Sequence, residues 1–307
     1  MTSPESLGPL ASSRRPEFHL YLPQMRMPHE TIVEKALAAE ANGFAGMAFM
    51  DHLAPPLAFQ HDMWEAMEIA GWVLAKTTTL KVGHLVLCDA FRHPAVLARQ
   101  AASLDHASGG RFELGVGWGS VPTEFGVFGI GSTEAKQRVG RLGESLQIMR
   151  RLWTGEVFDF DGEFFSLKDA QQRPTPTGPI PITIGGIGPR TLALVREHAD
   201  WWNLQITDIH KVKALRDQAG DARVSIQAMI GLVSSEAERE EVLALNKKRF
   251  GGTKMHENIV VGTAAELVDH FGTLHADGVD RFYTWFTNFA PVETVAAFGA
   301  VIRAVTA

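Results

Sequence analysis

The chain has 307 residues, 45% of them apolar and 21% charged, which fits a globular protein with a large core and excludes a largely disordered one. A formal charge of −6 without any lysine or arginine run argues against a nucleic-acid or polybasic membrane surface, so the expected partner is a small molecule. Cys88 is the single cysteine, which rules out an intrachain disulfide and a cysteine-based zinc site and fits a reducing compartment.

Residues 1–16, MTSPESLGPLASSRRP, hold no continuous apolar segment; the expectation is a disordered leader to a cytosolic protein, then one domain over 17–307. Strand-like and helix-like segments alternate from there. Phe18–Leu22 precedes a helix over 29–42, Gly46–Met50 one over 62–75, Lys81–Leu87 one over 94–108, and Phe112–Val116 one over 135–152. Ile182–Ile184 precedes a helix over 189–199, Trp201–Leu204 one over 208–219, Val224–Leu232 one over 235–249, and Arg281–Phe286 one over 291–305. Eight such units predict an α/β fold of the (β/α)8 TIM-barrel type rather than a doubly wound sheet. Three stretches fall outside the repeat: glycine-rich 118–133, 157–178 with a predicted hairpin around Asp161-Gly162, and 250–261. Insertions of this kind shape the C-terminal mouth of a barrel, where ligands bind.

Three places carry residues suited to chemistry. Asp51-His52 directly follows the apolar run 47–50, at the carboxyl end of the second strand, where an imidazole can move a proton and a carboxylate can hold it; the same pair also suits a loop cap and a mouth lining. In FRHPAVLARQAASLDHASGGRFELGVGWGS, Pro94 opens a helix, Gly109-Gly110 stop it, and Gly115, Gly117 and Gly119 leave bare backbone at a strand end, with Trp118 and Ser120 beside them. The Rossmann spacing is not met there. Gly185-Gly186-Ile187-Gly188-Pro189-Arg190 is a strand end, a glycine loop and a helix start, an anion-binding pattern to which Arg190 adds charge, or else a plain turn. The histidines lack metal-site spacing, so no metal is expected, and neither a P-loop nor a nucleophile elbow is present.

The run R-H-P-x-x-L-A-R-x-A-A-x-L-D-x-x-S-G-G-R leading into L-G-x-G-x-G resembles the luciferase-like monooxygenase superfamily. The match extends upstream to Gly43-Phe44 and Asp51-His52, and downstream through Arg141, Glu144, 152–155, 181–186 and 200–203. The resemblance implies a flavin or deazaflavin held at the mouth of a TIM barrel. In the branch that uses coenzyme F-420, a deazaflavin, an Asp-His pair contacts the ring or acts as acid and base, which makes Asp51 and His52 the catalytic candidates. It further implies a strained backbone, often a non-prolyl cis peptide, within Leu85–Asp89, with Leu87 and Cys88 near the ring. Gly117, Trp118, Gly119 and Ser120 would lie beside the cofactor, and Gly185, Gly186, Ile187 and Gly188 around its phosphate. Some deazaflavin-dependent dehydrogenases carry a proton-donating glutamate after the last glycine; here that position is Ser120, and the nearest acid is Glu124.

Three functions follow as expectations. The first is an oxidoreductase moving hydride between F-420 and a small organic substrate. The second is an FMNH2-dependent monooxygenase using oxygen, with FMN reduced by a separate flavin reductase. The third is a non-catalytic flavin-binding barrel. Phe125, Phe128, Phe158, Phe160, Phe164 and Phe165 populate the loops expected over the mouth, either lining it or packing those loops. Binding the polyglutamate tail of F-420 would need a local basic patch, for which Arg92, Arg138, Arg141 and Lys136 are the candidates, and superfamily members are often homodimers.

Overall fold

The computed structural model describes residues 14–56 and 58–307, so nearly all of the expected leader lies outside the described residues. The strands are β1 (Glu17–Tyr21), β2 (Gly46–Phe49), β3 (Lys81–His84), β4 (Leu87–Cys88), β5 (Leu114–Gly117), β6 (Phe158–Asp161), β7 (Ser166–Ala170), β8 (Ile182–Gly185), β9 (Trp201–Leu204), β10 (Arg223–Leu232), β11 (Val260–Gly262) and β12 (Arg281–Phe286). The helices are α1 (His29–Ala41), α2 (Ala66–Lys76), α3 (Pro94–Ser108), α4 (Pro122–Phe128), α5 (Ala135–Thr154), α6 (Pro189–His198), α7 (Val212–Leu215), α8 (Glu236–Phe250), α9 (Ala264–Ala276) and α10 (Val292–Thr306). Among the described residues no helix is long and apolar enough to cross a membrane.

The parallel strands pair in the order β3-β2-β1-β12-β10-β9-β8-β5-β4. Its two ends, β3 and β4, are separated in the chain by Leu85 and Val86 alone, which are joined by a non-prolyl cis peptide. Counted as one interrupted strand they give the eight-stranded ring of a TIM barrel, and a bridge from Val82 to Phe112 draws its ends together. The seam requires glycine: a Cβ on Gly115 would lie 1.8 Å from the His84 carbonyl oxygen. β2, β5 and β9 are buried on both faces, as expected where helices cover the outside of the ring and side chains fill the inside.

The RHP-to-SGGR run shows how sequence becomes position. His93 caps α3 by accepting from the Ala95 amide, Pro94 occupies a first-turn position, and Leu97, Ala98 and Ala101 face the core. Gly109 ends the helix in the left-handed conformation at φ 67°, and the Gly110 amide returns to the Asp105 carbonyl. Buried Asp105 accepts from the Thr177 amide and hydroxyl, both at 2.6 Å, which ties α3 to the chain entering β8. Arg111 donates to the carbonyls of Leu74, Thr77 and Leu80, satisfying the end of α2 and the turn beyond it.

Two expected helices need correction. The segment 208–219 is not one helix but the four-residue α7 between two 3-10 turns. The expected 235–249 helix exists as α8, but it buries only Asn246 and Phe250. The helix that returns from β10 to β12 along the barrel wall is α9, unrecognised in the sequence. Its Phe271 packs edge-on against Phe18 of β1 and Phe282 of β12, at 5.2 and 4.9 Å between ring centroids. The predicted hairpin is present as β6–β7, and α4 stands inside the glycine-rich stretch.

Candidate active site

The carboxyl ends of the barrel strands open into a cavity of about 770 Å³. All the catalytic and cofactor-contacting candidates implied by the resemblance lie on its wall: Asp51, His52, Leu87, Cys88, Gly117, Trp118, Gly119, Ser120, Gly185, Gly186, Ile187 and Gly188. They come from four strand ends, those of β2, β4, β5 and β8.

The geometry separates Asp51 from His52. Asp51 is 7% exposed, and its carboxylate accepts from the Cys88 amide at 2.8 Å and from both terminal nitrogens of Arg92, at 2.6 and 3.1 Å. Arg92 also reaches Glu65. Asp51 is therefore a brace that fixes the turn after the cis peptide to the end of β2. The carboxylate that holds His52 is Glu124 on α4, whose Oε2 lies 2.8 Å from His52 Nδ1. Its other oxygen accepts from the amide of Leu53 at 2.7 Å and that of Ala54 at 3.4 Å. Burial works to raise the Glu124 carboxyl, but the His52 contact and the two amides outweigh it and leave it below the ordinary carboxylate range. The pair is buried on the glutamate side and partly open on the histidine side, with side-chain exposures of 4% and 16%.

Helix α4 is placed by its surroundings. Gly119 turns at φ 85°, and a Cβ there would meet Phe125 at 2.6 Å and the Cys88 sulfur at 3.0 Å, so the loop folds flat on β4 only as glycine. The Arg138 guanidinium from α5 packs against the Trp118 ring at 5.0 Å and the Phe125 ring at 4.7 Å. Burial pushes the Cys88 thiol up to about 12, so it stays a neutral wall group.

At β8 the glycine loop is anchored from behind. The Gly186 amide donates to the Asn203 carbonyl at 3.1 Å, and the Trp202 indole donates to the Gly186 carbonyl at 2.8 Å. Helix α6 then begins with Pro189 and has no side-chain cap, so its first amides are left without a side-chain partner beside cavity-lining Gly188 and Thr191. Arg190 is exposed and does not line the cavity.

The remaining sequence candidates lie mostly outside the cavity. Of the six phenylalanines only Phe125 lines the cavity. Phe158 and Phe165 pack against Arg151 and Arg141, while Phe160 and Phe164 pack against the main core. The apolar wall comes instead from residues such as Met25, Met50, Phe250, Met255 and Trp285. None of the candidate basic residues reaches the cavity: Arg92 is held by Asp51, Arg141 by Asp89, and Arg138 by its aromatic contacts. The arginines on the wall are Arg26 and Arg249.

A parallel barrel with a glycine loop before an uncapped helix and a histidine-carboxylate pair at its mouth defines an α/β barrel of the TIM class with its cavity at the strand carboxyl ends. The model of the family described as luciferase-like monooxygenase matches residues 12–243, and the chain belongs to that family. An F-420-dependent glucose-6-phosphate dehydrogenase of Mycobacterium avium is 39% identical over 163 residues, 52% of this chain and 48% of the relative. One from Mycobacterium tuberculosis is 31% identical over 232 residues, 71% of this chain and 68% of the relative. The chain thus spans about half the length of the first curated relatives it matches. A solved F-420-dependent secondary alcohol dehydrogenase, in complex with an F-420-acetone adduct, superposes with a TM-score of 0.81 at 19% identity, covering 95% of this chain and 99% of that one, a likeness of fold.

Proposed function

We propose that the protein is an oxidoreductase that binds coenzyme F-420 and transfers hydride between it and a small organic substrate, with His52 and Glu124 handling the proton. The observation that carries the reading is the His52–Glu124 pair on the wall of a cavity that also holds both glycine segments. The fit to the cofactor rests on that cavity. The uncapped start of α6 and the loop Gly185, Gly186, Ile187 and Gly188 suit its phosphate. The wall of Leu87, Cys88, Gly117, Trp118, Gly119 and Ser120 leaves a bare edge for a flat ring.

When bound, the deazaflavin supplies the hydride chemistry, and the protein supplies orientation and charge. His52, held at Nδ1 by Glu124, presents its other ring nitrogen for proton exchange with the substrate oxygen. Glu124 holds the ring orientation and stabilises the imidazolium when it forms. Asp51, occupied by Arg92 and Cys88, positions the ring-facing backbone and moves no proton in this account. The reading is tested by His52→Ala: cofactor affinity within a few-fold of the parent and turnover lower by roughly 100-fold or more. Unchanged turnover removes His52 from the mechanism.

A further inference from the structure

Arg26, in the loop after β1, and Arg249, at the end of α8, approach the same aromatic ring from different elements. Their guanidinium carbons lie 5.6 and 3.9 Å from the ring centroid of Phe289, in the loop after β12. All three residues line the cavity. Among the described residues, no carboxylate stands within ion-pair distance of either arginine: the Arg249 side chain donates to the Thr287 carbonyl, and lining Asp208 is taken by Lys211 at 2.7 Å. Arg26 and Phe289 both hold left-handed backbone, at φ 60° and 64°, a conformation that side-chain-bearing residues rarely adopt and that gathers at ligand clamps. Burial and then the neighbouring Arg26 charge hold the Arg249 guanidinium below its ordinary range, so a bound anion would relieve a repulsion built into the site.

Barrel topology separates this pair from the residues assigned to the cofactor. The two arginines and Phe289 follow β1, β10 and β12, three adjacent strands. The cofactor candidates lie at the ends of β4, β5 and β8, on the other side of the ring. His52, after β2, adjoins the arginine sector through β1. Phe250, Met255 and Trp285 line the same cavity, with the Phe250 and Trp285 rings 5.8 Å apart and the Arg249 guanidinium carbon 4.9 Å from the Phe250 ring centroid.

We propose that Arg26 and Arg249 form an anion subsite that holds a carboxylate or phosphate of the substrate, whose apolar body lies against Phe250, Met255 and Trp285. The inference rests on the F-420 reading above for the identity of the neighbouring ligand. A planar guanidinium pair suits a two-oxygen anion, and an aromatic wall in the same cavity suits an unsaturated or ring-bearing body rather than a bare polyol.

The probes are benzoate and inorganic phosphate, titrated by calorimetry into the F-420-loaded protein while cofactor fluorescence reports displacement. The expected result is that benzoate binds without displacing F-420, more tightly than phosphate. Arg26→Gln and Arg249→Gln should each weaken it at least about 10-fold, with Arg26→Lys, which keeps the charge but loses the planar fork, falling between the parent and Arg26→Gln. Exposed Arg26 guards against a folding artefact at Arg249. Equal affinity in parent and both glutamine variants overturns the subsite, and so does displacement of F-420, which would assign the arginines to the cofactor. If F-420 fails to bind but benzoate binds the apoprotein through these arginines, the subsite stands and the cofactor assignment falls.

Discussion

Replacing Asp51 with asparagine separates bracing from proton transfer. In the parent its carboxylate accepts three bonds, two from Arg92 and one from the Cys88 amide, at 7% exposure. Asparagine keeps one acceptor for the Cys88 amide but turns an NH2 group toward the guanidinium. Removing one partner of a buried pair costs about 3–5 kcal/mol. Arg92 retains Glu65 and some access to water, with its side chain 12% exposed, so the cost falls just below that range, about 2–3 kcal/mol. For a chain of this size that is a fall in Tm of roughly 4–6 °C. The Cys88 backbone lines the cavity, so F-420 affinity should fall about 10-fold in the same variant. Thermal unfolding and quenching of F-420 fluorescence read both effects without any substrate. A variant with unchanged Tm and unchanged cofactor affinity would refute the brace.

Glu124→Gln keeps an acceptor for the Leu53 amide but loses the charge beside His52, so turnover should fall by about 100-fold with cofactor affinity within 3-fold; equal losses in both would make Glu124 a binding residue. Gly119→Ala must push against Phe125 and Cys88 from a positive φ, and should lower stability by about 2–4 kcal/mol in urea unfolding. Buried His84 is held neutral by burial, its pKa lowered to about 4 from an ordinary 6.5. The unfolded chain then binds the extra proton first, so the His84 contribution is complete above pH 6.5 and is lost as the pH falls toward 4, by about 3 kcal/mol. His84→Gln should flatten that part of the stability profile, and an unaltered slope would exclude the residue. With its thiol at about 12, Cys88 should react with a disulfide reagent at pH 8 at least about 100-fold more slowly in the folded than in the unfolded protein.

The barrel was legible because its strands are short apolar runs punctuated by glycine, proline and caps, and α3 was read at the same bounds, Pro94–Ser108, that the structure shows. Helix α9 was missed although Thr263 and Glu266 form a capping box and Leu267 and Phe271 share its buried face. Alternation had already been satisfied by α8, whose charged faces carry no core signal. The site residues were read from strand ends, where position alone argues for the mouth. Their partnerships were not readable: Glu124 reaches His52 across 72 positions, and Arg92 reaches Asp51 across 41. Arg26 and Arg249 lie far apart in sequence in unremarkable loop and helix-end contexts, and only closure of the ring brings them onto one aromatic side chain.

The measurement closest to the central claim is titration of the purified apoprotein with F-420 and, separately, with FMN, following the fluorescence of each oxidised cofactor. F-420 should show saturable quenching at an affinity at least about 10-fold above that for FMN, a difference of about 1.4 kcal/mol. Preference for FMN would contradict it and turn the search toward oxygen-dependent chemistry, and binding of neither would leave the His52–Glu124 pair without a redox partner.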